Sequence, residues 1–184
     1  QKGLLLMPKQ ISDVREKLLN ACSELLYTKG YRGVSIRAVA DCCGIAVGTV
    51  YNYFPSKDQL IAGVLLQNWS SVHQRLLEEA QVDPDCEHAF RSLFEELRTF
   101  SVRYRVIWTE YQGLAPAYPF SKHALDWHNQ FVDQISEITT ILCRRFARDN
   151  PPYLATFIAK NLQYASVYST VSFDTAWPVL RKLL

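Results

Sequence analysis

Long hydrophobic runs are missing from this chain of 184 residues. No apolar stretch approaches the ~18 residues that span a bilayer, and the segment from Leu4 to Met7 is too short for the core of a signal peptide, so we expect no membrane partner. Glycine and proline are scarce as well, at 7 and 8 residues. Their scarcity argues against a chain of many tight turns and favours long regular elements.

A large excess of charge is also missing. The net charge is +2, a value that by itself neither favours nor excludes nucleic acid as a partner. The distribution is more informative, because residues 1–60 hold 8 Lys and Arg against 5 Asp and Glu, whereas residues 61–184 hold 12 against 13. A mildly basic first third suits contact with phosphate groups, and the remainder has no need of it.

The cysteines lack the spacing that is typical of secreted proteins. Five thiols, an odd number, indicate a reducing environment and therefore a cytoplasmic location. The neighbours Cys42 and Cys43 point in different directions from a helix and have no second pair, so we interpret them as small core residues rather than a metal or redox site. Met7 is the only methionine, and we expect the natural protein to begin there.

Signatures of catalysis are missing too. His73 and His88 stand alone, and His123 and His128 are five residues apart, so they do not form the i, i+4 pair that shares a metal on one helix face. No Ser-His-Asp or Cys-His pattern is found. We therefore expect no catalytic residue, no metal and no cofactor, and a helical enzyme is the remote alternative.

Helical periodicity, by contrast, runs through the whole chain, without strand patterns or repeats. Ser12, Ser35 and Ser56 are predicted N-caps, and Gln59 completes a capping box with Ser56. The fold class is therefore all-α. The predicted helices cover residues 12–29, 35–42, 46–53, 56–80, 85–103, 104–113, 122–148, 153–172 and 177–184.

Residues 35–57 have the layout of a helix-turn-helix, with two short helices, a tight turn and the start of another helix. Gly44 stands where the turn needs a positive φ. The small Ala40 lets the third helix cross the second closely. Apolar residues stand where these helices and the first must pack, at Ile36, Val39, Cys43, Ile45 and Val50.

The residues left exposed in this segment suit contact with DNA. Thr49 offers a hydroxyl and a methyl group, and Asn52 can bond adenine or a phosphate. Tyr51 and Tyr53 carry hydroxyls on stiff arms that suit phosphate oxygens, although both are also candidates for plain core aromatics. Lys57 stands in the first turn of the predicted fourth helix, where a cation interacts unfavourably with the helix dipole. A nearby phosphate would make this position favourable. The predicted DNA-binding set is Ser35, Arg37, Val47, Gly48, Thr49, Tyr51, Asn52, Tyr53 and Lys57.

These residues resemble the tetracycline-repressor (TetR) family of bacterial transcription regulators, over about residues 12–66. The resemblance implies an N-terminal three-helix DNA-binding domain at 7–56, a C-terminal helical ligand-binding and dimerisation domain at 57–184, and a homodimer on a palindromic operator of double-stranded DNA. The segments that carry it are Gly30-Tyr31, Val34-Ser35-Ile36, Val39-Ala40, Gly44-Ile45, Gly48 to Phe54 and Ser56 to Leu60.

The resemblance also assigns roles. Four residues match positions that usually touch phosphate and three match positions that often touch bases, with the third helix in the major groove. Two departures stand out: Ala46 replaces the Ser that commonly caps the third helix, and Asn52-Tyr53 replaces a common X-His pair. The phosphate positions are Ser35, Tyr51, Tyr53 and Lys57, and the base positions are Arg37, Val47 and Thr49.

Large aromatic residues are concentrated in the C-terminal two-thirds. Aromatics at helical spacing form a core, or they line an apolar pocket. By the family resemblance, such a pocket accepts an apolar or aromatic small-molecule effector that releases a repressor from its operator. A ligand-independent regulator that acts through a protein partner is the alternative. The predicted ligand set is Phe100, Tyr104, Trp108, Tyr111, Trp127, Phe131, Tyr164 and Tyr168.

The helices at 122–148 and 153–172 are the expected dimer surface, packing as a four-helix bundle across a two-fold axis. Sequence alone leaves open which of their apolar residues face the partner and which face the core. The candidates are Ile135, Ile138, Leu142, Phe157, Leu162, Ala165 and Val171.

Overall fold

The computed structural model describes the backbone of residues 9–114, 122–167 and 171–184, and the side chains of 13–105, 128–167 and 171–184. Over these residues it contains eight helices and no strand, so the all-α prediction is confirmed. The helices are α1 (Lys9–Gly33), α2 (Ile36–Cys43), α3 (Val47–Tyr53), α4 (Lys57–Val82), α5 (Cys86–Leu114), α6 (Lys122–Phe146), α7 (Leu154–Val167) and α8 (Phe173–Leu180).

Several predicted helix boundaries are wrong, and three of the differences concern where a helix begins or whether it is divided. α1 begins at Lys9, so Ser12 lies inside the helix and does not cap it. Residues 85–113 form the single helix α5 rather than two, because no Pro or Gly interrupts the chain before Gly113. α8 begins four residues before Trp177, because the side chain of Ser172 accepts a hydrogen bond from the Thr175 N–H at 3.2 Å and caps it there.

The chain divides into two units: Gln1–Gln67 with Thr109–Ala124, and Asn68–Trp108 with Leu125–Leu184. In the first unit, α4 approaches α1 at Gly63. A Cβ at this position would lie 2.9 Å from Leu19 Cδ2 and 3.1 Å from Phe54 Cε1. The first part of α4 therefore belongs to the N-terminal unit, and the predicted domain boundary after residue 56 stays a prediction.

The second unit has an aromatic core of its own. Phe94 and Phe173 join α5 to α8, with ring centroids 5.8 Å apart, and Phe173 stacks on Trp177 at 5.5 Å. Thr139 is fully buried in α6 and donates to the carbonyl of Ala155 in α7 at 2.9 Å. Buried hydroxyls need a hydrogen-bond partner, and this bond links α6 to α7.

The apolar candidates for the dimer surface separate once the core is known. Ile135, Ile138, Leu142 and Leu162 are buried within the protomer, whereas Phe157 is 54% exposed.

Over the residues described, no helix is both long enough and apolar enough to cross a membrane.

Candidate nucleic-acid interface

The start of α2 is set by Ser35, which has an extended backbone and accepts a hydrogen bond from the Ala38 N–H at 3.1 Å. Ile36, Val39 and Ala40 of α2 are buried. Arg37 and Ser35 are left exposed at the N-terminal end of the helix. Their backbone N–H groups and the positive end of the helix dipole make this end a suitable place for a phosphate.

The turn between α2 and α3 has the predicted geometry. Gly44 adopts φ 66° and ψ 33°, the left-handed conformation, and its N–H is directed at the carbonyls of Ala40 and Asp41. The Ile45 N–H donates to the Ala40 carbonyl at 3.1 Å. Space is open around Gly44, so its backbone angle, rather than crowding, favours glycine.

α3 buries a single residue, Val50. Val47, Gly48, Tyr51 and Asn52 are exposed, whereas Thr49 and Tyr53 are half-buried. Of the predicted DNA-contacting residues on α3, most therefore face solvent. An added Cβ at Gly48 would meet nothing within 4 Å, so the backbone of α3 is uncovered at this point.

The ends of α3 follow from two local features. Ala46 has the extended backbone of an N-cap but supplies no side-chain hydrogen bond, so the first turn is closed by backbone bonds to the Ala46 carbonyl, from the Thr49 N–H at 2.9 Å and the Val50 N–H at 3.4 Å. Phe54 leaves the helix at φ −136° and ψ 98°, as a residue before proline must. Phe54 is buried and belongs to the core.

Lys57 is held in place by Tyr31 at the end of α1. Its Nζ donates to the Tyr31 carbonyl at 2.5 Å and lies 3.9 Å from the centre of the Tyr31 ring. The Tyr31 hydroxyl donates to Asp58 at 2.8 Å. The carbonyl and the ring offset the unfavourable position of a cation in the first turn of α4. Sequence reasoning missed this contact because the two residues are 26 positions apart.

Charge is sparse on this surface. Arg37 and Asp41 are the only charged residues of α2 and α3. Any phosphate contact there must come mainly from hydroxyls and backbone N–H groups, with Arg37 and Lys57 as the cations.

Cys42 is exposed, so its interpretation as a core residue is wrong. Cys43 is half-buried, and desolvation raises the pKa of its thiol.

Part of the predicted ligand set converges in the second unit. Phe100 lies 5.2 Å from Phe131 and 4.6 Å from Tyr104 between ring centroids. Trp69, which the prediction omitted, lies 5.3 Å from Phe100 and 5.0 Å from Phe131 and is fully buried. In the sequence, Trp69 stands on an apolar stripe of the predicted fourth helix, and this pattern could have identified it as a member of the cluster. Asn68 donates to the Tyr104 hydroxyl at 2.7 Å.

The other members of the ligand set are placed differently. Tyr164 lies on α7 and is 64% exposed. The side chains of Trp108, Tyr111 and Trp127, and the whole of Tyr168, lie outside the described residues. Their assignment to a ligand site stays a prediction.

Comparison with known proteins agrees with the helix-turn-helix. A family profile described as "Bacterial regulatory proteins, tetR family" matches residues 18–64. The transcriptional regulator UidR of Escherichia coli is 32% identical over 72 residues, which are 39% of this chain and 37% of UidR. The chain thus matches little more than a third of the length of that relative.

Two further similarities cover most of the chain. The uncharacterized HTH-type transcriptional regulator YvdT of Bacillus subtilis is 31% identical over 142 residues, which are 77% of this chain and 71% of YvdT. A crystal structure of a TetR-family regulator from Pectobacterium atrosepticum superposes with a TM-score of 0.69 at 20% identity, covering 95% of this chain and 96% of that one. The chain belongs to the TetR family of transcriptional regulators.

Proposed function

We propose that this protein is a homodimeric repressor that binds a palindromic operator through α3 and leaves it when an apolar or aromatic effector binds. The observation that carries the DNA-binding part is the make-up of α3, which buries only Val50 and leaves Val47, Gly48, Tyr51 and Asn52 exposed. A seven-residue helix that contributes one side chain to the core is available to enter a major groove.

The proposal gives different roles to the two kinds of exposed residue. Ser35, Tyr51 and Lys57 contact phosphates and set the orientation of the protein, without reading sequence. Val47, which is exposed, and Thr49, which is half-buried, contact base edges. Gly48, between them, lets the backbone approach the DNA closely.

Selection of bound duplexes from a random DNA pool tests the proposal and yields the operator. With that operator, Lys57→Ala is expected to weaken binding to all sequences and to lower the slope of log affinity against log salt by about 1. Val47→Ala and Thr49→Val are expected to change the preferred sequence, at about 1–3 kcal/mol per lost base contact. Affinities and salt slopes are measured by fluorescence anisotropy.

Tyr27→Ala is the matched control, because Tyr27 is 92% exposed on α1 and lies outside the helix-turn-helix. Circular dichroism of each variant checks that it is folded. If the Lys57, Val47 and Thr49 variants all keep the affinity and sequence preference of the parent protein, α3 does not read DNA.

The effector part of the proposal is supported by the ring cluster of Trp69, Phe100, Tyr104 and Phe131. These rings come from three helices of one unit, and the buried Trp69 Nε1 has no hydrogen-bond partner among the described residues. Apolar walls with a few polar groups are typical of small-molecule sites. The close contact of the rings equally suits a filled core, which is the arrangement that a ligand-independent regulator would have.

A melting-temperature screen against apolar and aromatic compounds separates these two functions. An effector is expected to raise the Tm with the logarithm of its concentration and to release the operator at the same concentrations. A broad screen in which no compound shifts the Tm would favour the ligand-independent regulator.

A further inference from the structure

Three ligand-type side chains converge where α4 passes into α5. Glu79 lies in the last turn of α4, Asp83 follows that helix, and His88 lies in the first turn of α5. Their inward atoms, one from each residue, lie within 4.8 Å of one another. His88 Nδ1 is 2.5 Å from Asp83 Oδ2 and 3.8 Å from Glu79 Oε1. Two ligand atoms that each lie ~2.1 Å from one Zn²⁺ are at most ~4.2 Å from each other. A small side-chain rotation therefore brings all three ligand atoms onto one ion.

The outward oxygen of each carboxylate is already held by the protein. Glu79 Oε2 accepts a hydrogen bond from the Ser92 hydroxyl at 2.9 Å. Asp83 Oδ1 accepts one from the Asp85 N–H at 2.9 Å. Outer hydrogen bonds of this kind orient the ligands of metal sites, and here they leave Oε1 and Oδ2 directed at His88.

The backbone around the cluster is held as well. Arg145 of α6 donates to the carbonyls of Ala80, at 2.5 Å, and Asp83, at 2.7 Å. The Asp85 side chain accepts from the His88 N–H at 3.2 Å and so fixes where α5 begins. Glu79 and Asp83 are only 23% and 11% exposed, which separates them from the solvated carboxylates of an ordinary acidic surface.

We propose that Glu79, Asp83 and His88 bind a divalent first-row transition-metal ion of the Zn²⁺ type. An imidazole nitrogen with two carboxylates suits such ions, whereas Ca²⁺ and Mg²⁺ prefer oxygen ligands alone. His88 is 66% exposed, so water can complete the coordination. Histidine pairs on one helix gave no sign of this site, because its donors come from the end of α4, the link that follows it and the start of α5.

The test uses the full chain, purified without a histidine tag, stripped with a chelator and titrated with Co²⁺ at neutral pH. We expect one Co²⁺ per chain, visible absorption bands without a thiolate charge-transfer band, and displacement by Zn²⁺. His88→Ala and Asp83→Asn each remove a ligand and are expected to weaken binding by at least about 100-fold, more than the loss of an outer-shell group. Excess Zn²⁺ is expected to raise the Tm of the parent protein but not of His88→Ala.

Glu78→Gln is the matched control, since Glu78 is an exposed carboxylate beside Glu79 that bonds to Gln74 instead. Its Co²⁺ affinity is expected to stay within about twofold of the parent value. Binding that does not saturate at one equivalent, or a Co²⁺ affinity of His88→Ala and Asp83→Asn equal to that of the parent protein, would leave His88 and Asp83 as an ion pair only. A strong thiolate band would place the metal on a cysteine and overturn the proposal equally.

Discussion

At the scale of single residues, two helical glycines are expected to respond to alanine in opposite ways. Gly63→Ala puts a Cβ against Leu19 and Phe54 in the core of the first unit, which costs about 1–3 kcal/mol and outweighs a gain in helix propensity of about 1 kcal/mol. Gly48→Ala meets nothing, so it keeps that gain while weakening DNA binding. Urea unfolding and operator titration measure both effects. A Gly63→Ala variant as stable as Gly48→Ala would show that Leu19 and Phe54 move aside.

The cysteines are a second case in which one side chain decides the outcome. Burial raises the pKa of Cys22 to about 12 and those of Cys86 and Cys143 to about 11. At pH 8 a thiol with a pKa of 12 is ionised to about 1 part in 10⁴, so it reacts slowly. Exposed Cys42 is expected to react first with a thiol reagent, and Cys42→Ser to remove that fast phase. In denaturant, all five thiols of the parent protein are expected to react. A fast phase that persists in Cys42→Ser would disprove the assignment of that phase to Cys42.

At the scale of the helix, α2 and α3 differ in their N-caps. Ser35 caps α2 with its side chain, whereas Ala46 has the right backbone for a cap and no side-chain acceptor. Ala46→Ser is therefore expected to raise the free energy of unfolding by about 1 kcal/mol, and Ser35→Ala to lower it by about 1 kcal/mol. Urea unfolding of both variants checks the signs. No gain in Ala46→Ser would mean that the Thr49 N–H does not turn to the new hydroxyl.

At the scale of the whole molecule, the proposed homodimer depends on α7. Phe157, Tyr164 and Val167 are exposed on this helix at 54%, 64% and 45%, and apolar side chains grouped in this way are typical of protein interfaces. Phe157→Glu is expected to halve the molar mass measured by light scattering and to weaken operator binding, because one helix-turn-helix then binds one half-site. Val102→Glu is the control, since Val102 is 53% exposed on α5. A dimeric Phe157→Glu variant would place the interface elsewhere.

The sequence by itself determined the features that depend on neighbours along the chain. The caps at Ser35 and Ser56, the left-handed Gly44 and the end of α3 before Pro55 follow from local backbone chemistry, and each has its predicted place. Only the tertiary structure decided which aromatics are core and which are exposed, as Trp69 and Tyr164 show. It also brought Lys57 to Tyr31 and His88 to Glu79 and Asp83. These pairings depend on how helices pack, because periodicity identifies an apolar face but does not name the residue that lies opposite it.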